Sequence, residues 1–138
     1  MKIENWELKI IKYWFPILIW AGFIFWLSSI PNLKSGLEQD FILRKIAHVL
    51  EYAILTFLFL RALTKENLSV GKIVISSIVF SLFYALTDEY HQTFIFGREG
   101  NLGDVGINSI GILITAGIWY IKSVGEVRLP RGPMNWKF

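Results

Sequence analysis

Two stretches of this sequence hold most of its chemistry. One is RKIAHVLEY, residues 44–52, and the other is TDEYHQTFIFGREGNLGD, residues 87–104. Histidines stand beside carboxylates in both: His48 with Glu51, and His91 with Asp88 and Glu89. A carboxylate next to an imidazole is the raw material of general acid–base catalysis. Lys45 and Arg98 can hold a phosphate or carboxylate, Arg98 with a planar fork of donors. Tyr52, Gln92, Asp104 and Asn108 add groups that position a bound polar molecule. The same histidines and acids would suit zinc or a harder divalent cation as cofactor. Against metal, no helix carries His-Glu-x-x-His, and Lys45 and Arg98 would repel a cation. No nucleophile motif is present, and Ser28 and Ser29 read as the end of a helix.

The elements that position these residues follow from the solvent. The chain has 138 residues, 54% of them hydrophobic, 16% aromatic and only 18% charged. A domain of this size cannot bury so much apolar surface against itself in water. Residues 13–33 form 21 consecutive positions without a charge, about what one helix needs to cross a bilayer. The predicted class is an all-α integral membrane domain with four transmembrane helices, at about 12–30, 41–63, 70–94 and 104–122. Residues 123–138 are expected as a tail. Pro16 is expected in the first turn of helix one, where a missing N–H costs little. The first apolar run is too long for a signal-peptide core and lacks a small-residue cleavage site, so it reads as a retained helix.

Lysines and arginines set the orientation. Ten of the 14 lie in the N-terminal segment, the second linker with its edges, and the tail, whereas four lie in or beside the first and third linkers. Both termini are therefore expected in the cytoplasm, with residues 87–104 facing outward. There are no cysteines, which removes disulfides, thiolate metal sites and cysteine nucleophiles. The net charge of +3 is dispersed along membrane edges, which does not suggest nucleic acid.

Helix length then forces the polar residues into the membrane. The uncharged run of helix three, residues 73–87, is 15 residues long. It covers roughly 22 Å of a hydrocarbon core of about 30 Å. To span, helix three must carry in Asp88, Glu89 and His91, and helix two must carry in His48 and Glu51. Ionisable groups at such depth have to face the bundle interior and find partners. Helical spacing agrees: Arg44 or Lys45, His48, Glu51 or Tyr52, and Leu55 fall on one stripe. Ser77, Ser81, Tyr84, Asp88 and His91 or Gln92 form a second, and Asp104, Asn108, Gly111 and Thr115 a third. Gly103 and Gly106 are expected to let backbones approach. His48, Asp88 and Asn108 each lie about 20–24 Å from the opposite helix end at 1.5 Å per residue. Three helices thus bring polar groups to one level.

Taken together, WLSSIP, RKIAHVLEYAIL and TDEYHQTFIFGREGNLGDVGINSIG resemble the VanZ-like family of bacterial membrane proteins. The shared pattern falls on Lys45, His48, Glu51, Tyr52, Leu55, Asp88, Glu89, His91, Gln92, Gly97, Arg98, Asp104, Asn108 and Gly111. Arg44 departs from it, since members often carry an aspartate before the lysine. The resemblance implies a cytoplasmic-membrane location and a link to resistance against teicoplanin, a glycopeptide antibiotic with a lipid tail that binds cell-wall precursors outside the membrane.

The expected function is recognition, or chemical modification, of an amphiphilic envelope molecule such as a lipid-linked wall precursor. His48, Glu51, Asp88, Glu89 and His91 are the proton-handling candidates. Lys45, Tyr52, Gln92, Arg98, Asp104 and Asn108 are the binding candidates. A small transporter or proton-coupled carrier would use the same acids as a relay. A structural subunit would use them as a polar seam, the reading that suits Ser77, Ser81, Thr115 and Asn108 taken alone. Trp6, Trp14 and Trp136 read as interfacial anchors, Trp20 and Trp26 as lipid-facing or packing residues, and the basic tail as a contact for anionic lipid.

Overall fold

The computed structural model describes residues 6–31, 36 and 38–128. Four helices form it: α1 (Trp6–Ser28), α2 (Asp40–Leu63), α3 (Val70–Gln92) and α4 (Leu102–Arg128). All four are long and apolar enough to cross a bilayer. No strand occurs among the described residues.

Side chains are sorted as hydrocarbon solvent demands. Leu18, Phe83 and Ile121 are 64–72% exposed, while Thr56, Ser77, Ser81 and Asn108 are wholly buried and Asp88, Glu89 and Gln92 nearly so. In lipid, apolar side chains lose nothing by facing outward, whereas polar groups must find partners inside. Six of the seven buried residues of α3 (Ile73, Ser77, Ser81, Ala85, Asp88 and Gln92) recur every three or four positions along one face, with Glu89 beside it. Thr56 on α2 lies 2.9 Å from Ser81 Oγ, a hydrogen bond across the seam.

Helices α2, α3 and α4 pack on one another, and α1 packs on α2 and α3 without approaching α4 among the described residues. Two polar bonds fasten α1 midway: Trp20 Nε1 donates to the Glu51 carbonyl (2.9 Å) and Tyr84 OH to the Ala21 carbonyl (2.5 Å). The closest backbone approach involves neither Gly103 nor Gly106. A Cβ on Gly106 would meet nothing, and one on Gly103 only the side chain of Asn101. Gly111 does this work, lying directly against the Val49 carbonyl and the Ala53 nitrogen of α2. Phase explains the difference, because Gly111 neighbours the buried Ile112 while Gly106 is exposed.

The helix bounds of α2 and α3 fall within two residues of expectation; α1 and α4 are longer. Helix α1 starts at Trp6, so Pro16 lies inside it. A proline there cannot bond the carbonyl four residues back and crowds it. The helix widens to a π-helical stretch over Ile10–Trp14, and the Lys12 carbonyl accepts a long hydrogen bond from Arg61 on α2 (3.5 Å). Helix α4 continues past Lys122 to Arg128, since the sequence has no proline before Pro130 to stop it. Of the predicted tail, 123–128 is therefore helix, and Arg131, Trp136 and Lys137 lie outside the described residues.

Candidate functional site

The site forms where the start of α2, the end of α3 and the start of α4 meet, and each edge is built by local rules. After α3, the turn at Gly97 takes φ +76°, a conformation that suits glycine. Gly100 then lies against the Glu89 carbonyl, where a Cβ would collide. Asn101 is the N-cap of α4: its Oδ1 accepts the Asp104 N–H (2.9 Å), and its Nδ2 donates to Asp104 Oδ2 (3.2 Å). Asp104 in that first turn also offsets the positive end of the helix dipole.

These edges enclose a cavity of about 550 Å³. Five of the predicted residues line it: Lys45, His48, Gln92, Arg98 and Asp104. Lys45 is paired with Asp104, joining α2 to α4. Arg98 donates from its guanidinium to the carbonyls of Leu27 (2.7 Å) and Ile30 (3.2 Å), so it satisfies the orphan acceptors at the end of α1. Two of its five N–H donors are used this way, leaving three for a ligand. Burial, and then the positive charge of Arg44, hold the pKa of Arg98 below its ordinary value, opposed by Asp88, Glu51 and Glu89.

The other predicted residues, His91 excepted, make a layer beneath the cavity. Asp88 Oδ2 accepts from Tyr52 OH (3.1 Å) and Gln92 Nε2 (3.3 Å). Glu89 turns the other way, accepting from the Asn101 backbone N–H (3.3 Å) and Asn108 Nδ2 (3.5 Å). Glu51 Oε2 lies 3.3 Å from His48 Nδ1. His48 is within electrostatic reach of Glu51, Glu89 and Asp88 together. One oxygen each of Asp88 and Asn108 is buried without a partner in this layer. A ligand in the cavity would meet these acids through His48, Gln92 and Asn101, the cavity-lining residues that touch them.

His91 is placed apart from the cavity. Its ring stacks on Phe25 of α1 (centroids 4.3 Å apart), and its Nε2 lies 2.9 Å from Ser29 Oγ. The single Ser29 proton goes to the Phe25 carbonyl (2.7 Å), so Ser29 accepts from the imidazole and is not an activated nucleophile. The expected stripe allowed His91 or Gln92; the bundle interior takes Gln92 because it continues the 81, 85, 88 face. Sequence reasoning passed over Ser28, 3.4 Å from Gln92 Nε2, and Asn101. It allowed Arg44 or Lys45 on the helix-two stripe but gave Arg44 no role, and it passed over Glu99; both line the cavity. An Asn three residues before Asp104 was a capping signal already present in the sequence; nothing in the spacing marked Ser28 or Glu99. No group of three or more His, Asp or Glu among the described residues is arranged to hold a metal ion.

Fold and site together define a multi-pass helical membrane protein with a polar cavity at one end of its bundle. Residues 7–123 match the VanZ/LLP1 family, which is most of the chain, and the chain belongs to that family. No curated protein and no solved structure matches it.

Proposed function

We propose that this protein binds an amphiphilic, lipid-linked molecule of the bacterial envelope, holds its polar head in the cavity, and moves a proton on it through His48. One observation carries the reading. The polar cavity adjoins an apolar groove of about 350 Å³ between α2 and α4, and the two share Phe41 and Lys45. Ile42, Ile46, Val49, Leu50 and Ile107 line the groove. A head group in the cavity would leave its hydrocarbon chain lying along that groove, within the membrane. Arg44 and Arg98 repel each other across the cavity, which favours an anionic head such as a phosphate or carboxylate. By the count of basic residues the cavity faces the outer side of the cytoplasmic membrane. That is where a wall precursor, or the lipid-tailed glycopeptide linked to the family, would be met.

A proton-coupled carrier needs a polar path to the opposite face. Below the site the buried polar side chains are the hydroxyls of Thr56, Ser81 and Ser77, set among Leu55, Leu60, Ile112 and Ala116; none of them titrates as a relay acid would, which favours a one-sided site. The test is to extract and identify lipids that co-purify with the parent and with Ile46→Trp and Lys45→Gln. Ile46 is 52% exposed, so a tryptophan there obstructs the groove while leaving the core intact. The parent should retain an anionic amphiphile that both variants lose. Identical lipid content in all three preparations would refute the reading.

A further inference from the structure

The opposite end of the bundle gathers a second group of charges. Lys45 and Arg61 are sixteen residues apart on α2, so Arg61 lies about 24 Å from the cavity along the helix axis. There the ring of Tyr13, on α1, is surrounded by three cations from three segments. Arg61 Cζ is 4.9 Å from the ring centroid, Lys65 Nζ 5.2 Å and Lys12 Nζ 5.4 Å. Any two of these charges are at most about 11 Å apart by that geometry. A ring has only two faces, so at least two of the three share one.

Such a cluster opposes itself. Each cation gains from the ring quadrupole, but the three repel one another at a membrane edge, where screening is weaker than in open water. Among the described residues no carboxylate is paired with Lys12, Arg61 or Lys65. Glu66, next to Lys65, is taken by Lys9 at 2.9 Å. Arg61 reaches only a backbone carbonyl, that of Lys12. The cluster also joins α1 to the α2–α3 turn, so an anion seated in it would tie the two together.

We propose that Lys12, Arg61 and Lys65, arrayed about Tyr13, form a site for the phosphate of an anionic membrane lipid. A phosphate accepts hydrogen bonds from several donors at once and cancels the repulsion among them. Half-buried Tyr13 sets the floor, and the exposed amines of Lys12 and Lys65 close over the headgroup. The ligand is a lipid rather than free phosphate, because the site stands at the end of membrane-spanning helices where headgroups are concentrated.

Native mass spectrometry of the full chain in detergent tests this, with phosphatidylglycerol, phosphatidylcholine and inorganic phosphate as separate probes. Phosphatidylglycerol should be retained in preference to phosphatidylcholine. The Lys12→Gln/Lys65→Gln double variant removes two exposed amines and leaves the Arg61 bond to α1 in place. At about fivefold per basic residue, its phosphatidylglycerol retention should fall about 25-fold, with phosphatidylcholine retention unchanged. Equal retention of the two lipids by the parent, or parental phosphatidylglycerol retention in the double variant, would overturn the proposal. So would inorganic phosphate that displaces phosphatidylglycerol at equal concentration.

Discussion

His48 is the residue on which the proposed chemistry turns, because among the described residues it is the titratable group that both lines the cavity and touches a carboxylate of the layer beneath, Glu51. Its substitution by Gln keeps a polar side chain of similar reach and removes proton exchange. The variant should insert, keep its melting temperature within the effect of about 1 kcal/mol typical of single changes, and still retain the co-purifying amphiphile. It should lose whatever teicoplanin protection the parent confers on a susceptible host. Protection at the parental level would exclude a proton-transfer role. Asp88 behaves differently because it satisfies two neighbours. Asp88→Asn keeps an acceptor for Tyr52, whereas Asp88→Ala strands Tyr52 OH in the interior and leaves Gln92 Nε2 only its long bond to Ser28, at a cost of about 1–3 kcal/mol. Melting in detergent should therefore fall clearly further for alanine than for asparagine.

The helices contribute through two joints, one made by a glycine and one by an arginine. At the α2–α4 contact, Gly111→Ala pushes a methyl group into the Val49 carbonyl and should cost about 1–3 kcal/mol. Gly106→Ala, five residues away in open space, should be neutral or stabilise by up to about 1 kcal/mol. Thermal melting of the two variants side by side checks the assignment of the contact to Gly111. At the α1 end, Arg98 bonds two carbonyls while His91 and Gln92 meet Ser29 and Ser28. The chain has no cysteine, so a Ser29→Cys/His91→Cys pair introduces the only thiols. A short thiol-to-thiol bridging reagent, spanning the space left by the imidazole, should cross-link that pair, and adding Arg98→Gln should slow the cross-linking several-fold if Arg98 holds α1 in place. Unchanged cross-linking would show that the Trp20 and Tyr84 bonds suffice.

For the molecule as a whole, four helices of membrane-spanning length would leave both ends of the described chain on one side of the membrane, and the orientation proposed from the charge count makes that side the cytoplasm. Single cysteines at Gly36 and Phe96 should react with a membrane-impermeant maleimide in intact cells. A cysteine at Asn67 should react only after permeabilisation. Labelling of Asn67 from outside would invert the orientation, and with it the side to which the cavity opens. The two charged ends of the bundle differ in their surroundings: cavity cations that lie near internal acids, and a basic cluster with which no carboxylate is paired among the described residues.

Much of this was legible in the sequence, for one reason: helices in lipid must satisfy every backbone bond internally and cover a fixed thickness. Apolar run length therefore determined the class, the number of spans and, through residues 73–87, the burial of Asp88 and Glu89. Helical spacing likewise set which residues share a stripe. It did not decide between His91 and Gln92, because each lies within the angular width of the stripe and only the rotation of α3 in the bundle shows that the buried face runs through 81, 85, 88 and 92. It did not distinguish Gly106 from Gly111, since contact depends on how α4 is rotated against α2. Nor could it show that Arg98 serves the end of α1, that Asn101 meets Glu89, or that Lys12, Arg61 and Lys65 surround one ring. Those contacts join segments twelve to seventy-one residues apart, apart from the adjacent Lys12 and Tyr13. Local periodicity carries no information about such distances; only the packing of one helix on another brings these residues together.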